Sequence, residues 1–595
     1  MNTPYGRYDD SRPGQFTRTS SLADLAYVAA LGLTSRVARR NSIVSLDNLS
    51  DAFSDAPEFE NPVIVQGGWS WPLVRTSVLI LLSALSAGFN SGKMSTPAEA
   101  IRSATGIPAA KFAIDASRTD NPVADWTWTF VVSIYCLGAM LSCTTAAQLA
   151  DRWGRRTFLL WTSVIFVVGG LLEAGASCPL CLGGVWGPCN SRVVLLVAGR
   201  AVSGIACGGA AVIVPLYLGE VAPPHLRGAL GSAFQLSLAL GAAFGQLGGL
   251  VVTADSWPWF LALGILPATA QLLLQPMLLE SPRWCAMSGE DRMAEAMLVQ
   301  LRGRSSPTEE LQEELYCMLQ PFDGSSGSRR PLSRSSSANS NASAGGDPYG
   351  HRGPADDALL APSPPPASPR AALRAAASLP AVRRAVGLCV ALAAAQQLCG
   401  INSLLYYGYT YLKQNGLSDE GANAAVLCMN VGAVASTVAS GALMDKVGRR
   451  PLLLLSMLAC AAAALLLTLA LAATAAAHDA GAAPAALPTA AVACAAAAFV
   501  FAYGVGLGPV PALLPAELFP PEQRAAGFAL VGSATWLANC AASLTFLLQA
   551  SLLGADGFVP HAAVLLAALV YALFNMVETR GKSLERINRE LSFND

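Results

Sequence analysis

The sequence predicts an all-α membrane protein, with twelve transmembrane helices in two six-helix halves and a cytoplasmic helical linker between them. Composition is the first observation. Of 595 residues, 53% are hydrophobic and 13% charged, where a soluble globular domain carries about 25% charged residues. Mean hydropathy is +0.45. The second observation is the order of apolar runs: six, a long polar gap, then six. The third is a charged block, Asp-x-x-Gly-Arg-Arg, that returns at the same place in each set. A net charge of −1 gives no reason to expect nucleic acid as a partner.

Residues 1–70 are polar and rich in Ser, Arg and Asp, without the apolar core of a signal peptide. They are expected to form a disordered cytoplasmic tail. Arg18 and Arg39 precede serines in patterns that suit kinases, and Asp9, Asp10 and Asp24 argue against a plastid transit peptide.

The first half, residues 71–279, holds apolar runs near 72–91, 126–149, 157–177, 192–214, 229–252 and 257–279. The second half, residues 385–577, holds runs near 385–412, 422–444, 451–477, 489–514, 525–552 and 560–577. At about 1.5 Å per residue each can cross about 30 Å of hydrocarbon, the longer ones tilted. Lys and Arg in short loops set the orientation. Asp151–Arg156 follows span two and Asp445–Arg450 follows span eight, about 294 residues apart. His225–Arg227 and Gln523–Arg524 fall on the same side if the chain alternates. That side is expected to be cytoplasmic, with both termini and residues 578–595 on it. Two copies of the block at matching places identify an internal repeat of two six-helix units.

Between the halves lie residues 280–384. Their first part, 280–320, reads as short amphipathic helices, with Glu295, Leu298, Leu301 and the Glu309–Glu314 cluster. Residues 322–370 are mostly Ser, Gly, Ala and Pro and are expected to be a flexible insert. Asn341 opens a glycosylation sequon that the cytoplasmic side would leave unused. Most of the fourteen cysteines stand singly in apolar runs, where they behave as small hydrophobes. Cys178, Cys181 and Cys189 cluster, but no His lies near to complete a zinc site. One disulfide with a spare thiol is expected there if the loop is extracytoplasmic. No metal or cofactor is expected. No paired nucleophile and base or phosphate loop suggests an enzyme.

Acids and arginines alternate at the helix ends assigned to the cytoplasm. The first half contributes Asp151, Arg152, Arg155, Arg156, Arg200, Glu220, Arg227, Glu280 and Arg283; the second contributes Asp445, Arg449, Arg450, Glu517, Arg524 and Glu578. Charges in a partly dehydrated layer need partners. Pairs joining the two halves would hold one conformation shut and separate in the other. Plain snorkelling explains the cations but not the matched acids.

Within span seven, Gln396 to Tyr407 reads Gln-Gln-Leu-Cys-Gly-Ile-Asn-Ser-Leu-Leu-Tyr-Tyr. Gln396, Gln397, Asn402 and Tyr406 are neutral hydrogen-bonding groups where an unpaired one costs several kcal/mol. One lone amide there would be helix glue. Four within a few turns, uncharged, suit a neutral polyhydroxylated ligand. Gly400 lets the backbone bend among them. In span four, Gly204, Gly208 and Gly209 form a small-residue face for close helix contact. Gly504, Gly506, Gly508, Pro509 and Pro511 interrupt span ten, which makes it a hinge or a pocket wall.

Taken together, Pro215–Gly231, Glu280-Ser-Pro-Arg283, Gln396–Tyr407, Gly508-Pro-Val-Pro511, Glu517-Leu-Phe-Pro520 and Glu578-Thr-Arg-Gly-Lys-Ser583 resemble the sugar porter family of the major facilitator superfamily, most of all the facilitative glucose transporters. The resemblance spans roughly residues 70–590 without the insert. It implies the major facilitator fold and a sugar site made by Gln235, Gln396, Gln397, Asn402, Asn430, Trp536 and Asn539. Amides donate and accept, which suits hydroxyl pairs, and an indole covers the apolar face of a pyranose. The chain departs from the family pattern in several places. Ala512 stands where a Trp follows Gly-Pro-x-Pro, Gly504 where span ten often has an acid, and Ala393–Ala395 where glucose-preferring members often have Gln-Leu-Ser. Ala147 replaces a Gly, and Leu279 a Pro. The pocket is therefore expected to be roomier than usual, and the hexose is left open.

Proton coupling needs a titratable group in the membrane. In proton-coupled sugar porters that group is an Asp after Gly-Tyr in span one, where this chain has Gly88-Phe89-Asn90. Glu173 and Lys93 fall near the outer ends of spans three and one, where the lysine can snorkel. The expected protein is a facilitative hexose uniporter, alternating access to a monosaccharide in a lipid bilayer. A proton symporter and a transporter-like sugar receptor are the alternatives. The plasma membrane is the expected location, ahead of the plastid envelope and the vacuole.

Overall fold

The computed structural model describes residues 68–107, 122–177, 191–223, 226–306, 380–479, 486–519, 521–580 and 584–592, with 308, 311, 312, 314, 315 and 582. The tail up to residue 67, the insert, Asn341 and the cluster of Cys178, Cys181 and Cys189 lie outside them, as do the side chains of Asp445 and Arg524.

The first half starts with α1 (Trp71–Gly92), capped by Ser70, whose Oγ accepts from Leu73 N at 3.2 Å. Short α2 (Ala98–Thr105) follows, then α3 (Pro122–Trp153), α4 (Arg155–Gly175), α5 (Ser191–Val221) and α6 (Arg227–Gly249). The sixth span is interrupted, as α7 (Trp257–Leu263) and α8 (Leu266–Leu274), where Gly264 and Pro267 interrupt the ladder. Linker helices α9 (Pro282–Met287) and α10 (Asp291–Leu301) match the amphipathic reading, with Leu298 and Leu301 buried.

In the second half, α11 (Pro380–Leu398) and α12 (Ile401–Gln414) share span seven. They are followed by α13 (Asp419–Val447), α14 (Arg449–Asp479), α15 (Ala486–Ala502), α16 (Pro509–Leu518), α17 (Pro521–Leu553) and α18 (Val559–Asn575). A further helix, α19 (Leu584–Ser592), forms where only a tail was expected. It buries Ile587 and Leu591, and Leu591 O accepts from Arg384 at 2.6 Å.

Eleven helical stretches among the described residues are long and apolar enough to cross a membrane. The last runs 50 residues, Ala526–Asn575, roughly 75 Å of helix against about 30 Å of hydrocarbon. It contains α17, a 3-10 turn at Gly554–Phe558 and α18, which leaves room for the twelfth pass. No strand occurs among the described residues.

Helix packing follows the small residues. A Cβ on Gly204 or Gly208 of α5 would lie 2.1 Å from the carbonyl oxygens of Tyr135 and Ala139 on α3, so only glycine permits this approach. Across the halves, α3 packs along α17 and α6 along α13. Two ends of the bundle are thus defined: a charged end, bearing Asp151–Arg156 and Arg449–Arg450, and an opposite end. At the opposite end Lys413 joins the halves, 3.4 Å from Glu99.

Candidate functional site

Span seven turns at Gly400, whose φ of +96° lies in the left-handed region that side chains disfavour. The turn leaves the last carbonyls of α11 without helical donors. Cys399 closes the last regular turn, its amide donating to Ala395 O at 3.0 Å, and its thiol serves the carbonyl of Gln396 at 2.9 Å. His561 Nδ1 meets Leu398 O at 2.8 Å.

This bend sets Asn402 against Gln397. Asn402 Nδ2 donates to Gln397 Oε1 at 2.6 Å, and Gln397 Nε2 to Gln396 Oε1 at 3.0 Å. Gln396 Nε2 then reaches Leu507 O at 3.2 Å and Gly508 O at 2.5 Å. Those carbonyls belong to the interruption of span ten, a π turn at Tyr503–Leu507 between α15 and α16. Pro509 has no N–H to continue the ladder, and Leu507 N donates to Ser456 Oγ at 2.8 Å. One buried chain of amides therefore ties two interrupted helices together without a charge.

Other residues singled out in the sequence attach to the same stretch. Asn539 Nδ2 donates to Tyr406 OH at 3.3 Å, while its Oδ1 accepts from Cys136 of the first half at 3.5 Å. Asn430 Nδ2 donates to Gln246 Oε1 at 2.8 Å, and Gln246 Nε2 to Leu405 O at 2.8 Å. Gln246 is a candidate the sequence reading missed. It stands eleven positions after Gln235, about three helical turns, and so on the same face of α6. Its signal, an amide in an apolar run, is the one that singled out Gln396. Gln235 itself is half-buried with no side-chain hydrogen bond among the described residues. Trp536 packs edge-on against Tyr135, ring centroids 6.0 Å apart. Each amide bond here can be exchanged for a bond to a hydroxyl, which also donates and accepts.

Arg200 is not in the charged layer where it was expected. It stands wholly buried near the start of α5, away from the charged end, because its partners are there: Nη1 donates to Asn90 O at 2.8 Å and the guanidinium lies 4.3 Å from the Tyr135 ring centroid. Lys93 does not snorkel. It is wholly buried, donates to Asn90 Oδ1 at 2.5 Å and pairs with the equally buried Glu173. Ser203 Oγ donates to Glu173 Oε1 at 3.0 Å. Lys93, Arg200 and Glu173 thus form a wholly buried group of two cations and one anion in the first half.

Pairs between the halves were expected in the charged layer; the pairs seen there among the described residues lie within each half. Arg155 grips Glu220 at 2.9 and 3.0 Å and meets Asp151 at 2.9 Å; Arg227 is exposed. Arg449 meets Glu517 at 3.1 Å. Arg152 is exposed and Arg283 half-buried, while Arg450 donates to Leu573 O at 2.8 Å. The repeat extends to the helix starts. Glu280 accepts from the amides of Arg155 and Arg156 at 3.0–3.2 Å, and Glu578 from those of Arg449 and Arg450 at 2.9 and 3.0 Å. Each carboxylate thus fills orphan N–H groups at a helix N-terminus.

The two carboxylates titrate differently. Burial pushes Glu280 above its ordinary range, against the pull of the Ser281, Arg156 and Arg155 amides. Burial also lifts Glu578, but the amides of Arg580, Arg449, Arg450 and Thr579 outweigh it and hold the group below its ordinary range. A lowered folded pKa means stability present above the unfolded value and lost as pH falls through the folded one. Glu578→Gln should therefore cost about 1.5–3 kcal/mol at neutral pH, shrinking on acidification, while Glu280→Gln costs less. Thermal melts of the purified protein at several pH values check the ranking.

A family described as sugar (and other) transporters matches residues 76–337 and 367–591. Facilitated glucose transporter member 2 of solute carrier family 2, from Mus musculus, is 27% identical over 555 residues, covering 87% of this chain and 93% of that protein. Member 3 from Ovis aries is 26% identical over 528 residues, covering 87% and 92%. Among solved structures, the major facilitator superfamily proton:xylose symporter XylE bound to 6-bromo-6-deoxy-D-glucose superposes with a TM-score of 0.63 at 22% identity, over 87% of this chain and 99% of that one. A partially occluded inward-open form of XylE from E. coli gives 0.61. This likeness shows the fold, that of the major facilitators.

Proposed function

The chain belongs to the sugar (and other) transporter family, a family of transporters and not of enzymes, and from that premise we propose that it carries a neutral hexose across a membrane by facilitated diffusion. The observation that carries the reading is the uncharged amide chain of Gln396, Gln397 and Asn402 between two interrupted spans. A sugar hydroxyl takes the place of an amide partner at each point, so the site fills without an ion to dehydrate. Asn430, Asn539 and Gln246 sit where the halves meet, which suits ligand groups that sense their closure. The curated relatives are named as facilitated glucose transporters, and Asn90 in span one cannot titrate. Gln235 and Trp536 join the site when the hexose draws them in. The charged end is cytoplasmic by the excess of Lys and Arg. The halves rock about the site and open it to one face and then the other.

Counterflow of labelled hexose in proteoliposomes tests this. Purified protein should accelerate exchange of at least one member of a panel of labelled hexoses that includes D-glucose and D-fructose, while a pure sugar receptor gives none. Proton symport is the second reading, and Glu173 favours it, being a carboxylate fully buried in the first half beside Lys93. Hexose uptake indifferent to a protonophore and to pH keeps facilitated diffusion. Uptake that a protonophore abolishes, and that Glu173→Gln converts to protonophore-insensitive exchange, replaces it with symport.

A further inference from the structure

We propose that His561, on α18, is a positioning residue for the amide chain: by occupying Leu398 O it keeps span seven bent at Gly400 and so holds Asn402 against Gln397. The inference rests on the reading that these amides receive the hexose.

His561 is buried, and its Nδ1 lies 2.8 Å from Leu398 O. A carbonyl only accepts, so Nδ1 carries the proton and Nε2 is bare. That Nε2 has no partner among the described residues, so the neutral ring is the form that fits. In a continuous α-helix the donor to Leu398 O would be the amide of residue 402. His561 therefore supplies this carbonyl with the donor that Asn402 N–H supplies in a continuous helix. When the imidazole holds it, α11 ends at Leu398 and α12 starts afresh at Ile401. When the carbonyl is free, rewinding satisfies it and turns the Asn402 side chain away from Gln397.

The ring is fixed well enough to do this. A Cβ on Gly400 would lie 2.9 Å from its Cγ and Cδ2, so the imidazole rests directly on the bend. On its other sides stand Phe546 and Phe558, ring centroids 6.1 and 5.5 Å away. Phe546 stacks in turn on Tyr407 at 5.9 Å, which returns the packing to α12. Leu398 is one residue from Gln397, so a shift of its carbonyl passes straight to the site.

Crossed substitutions separate the bond from the packing. His561→Phe keeps an aromatic ring and removes the donor; His561→Asn keeps a donor nitrogen at the Nδ1 position and removes the ring. Uptake of labelled D-glucose, or of the hexose the panel selects, is measured per molecule of protein in the membrane. His561→Phe should raise KM about tenfold with Vmax within about twofold. His561→Asn should keep KM within about twofold of the native value. A native KM in His561→Phe overturns the proposal. So does His561→Asn impaired as much as His561→Phe, which assigns the effect to ring packing. Should the Phe variant not fold, His561→Leu carries the same expectation. Gln396→Leu run in parallel separates the two readings: near-native uptake there removes the hexose site itself, whereas an inactive Gln396→Leu beside a native His561→Phe removes only this inference.

Discussion

Gln396→Leu is expected to lower saturable hexose uptake by about 100-fold or more while the protein still reaches the membrane. Two losses combine. The ligand loses a donor and an acceptor at the centre of the amide chain, and a site built to bond hydroxyls discriminates strongly against an unpaired group. The carbonyls of Leu507 and Gly508 also lose the Nε2 donor now 3.2 and 2.5 Å away. That second term weakens the span seven to span ten contact by about 1–3 kcal/mol, which a melt of the purified variant reports separately. Asn430→Leu should be milder for transport, because Asn430 bonds Gln246 and the carbonyl of Val426 and not the interrupted helices. Uptake within about twofold of native in Gln396→Leu would remove the site.

The architecture was legible because it is written in one dimension. Apolar run length sets the number of crossings, and the repeated block marks two units whose helix starts carry the same carboxylate arrangement, Glu280 and Glu578. The bend at Gly400 and the interruption of span ten were also readable, since glycine and proline act locally. Partner choice was not. Whether Glu220 meets Arg227, seven residues on, or Arg155, on another helix, depends on how α4 and α5 lie together. Arg200 carries nothing in its neighbours to show that its partners are a carbonyl of α1 and a ring of α3. Lys93 and Glu173 stand near helix ends in the chain, yet neighbouring helices bury both completely. Gln246 escaped notice for a different reason: it lies outside any motif, although the physics that identified Gln396 applies to it unchanged.

That buried cluster leads to an unequal result for its two partners. Glu173→Gln is expected to destabilise the first half by about 3–5 kcal/mol, as removal of one member of a buried pair does. Lys93→Met should cost clearly less. With Glu173 gone, Lys93 and Arg200 remain as two cations in a site closed to water; with Lys93 gone, Glu173 and Arg200 remain, equal and opposite. Adding Lys93→Met to Glu173→Gln should recover part of the loss, because it removes one of the two like charges. Arg200 itself keeps the Asn90 carbonyl and the Tyr135 ring in every variant, so it is the constant against which the others are read. Melting of purified protein and the amount reaching the membrane both report the order. Equal losses in the two single variants would mean that only the direct pair matters and that the surplus positive charge has no influence. A harmless Glu173→Gln would mean that the pair with Lys93 contributes nothing to the stability of the first half.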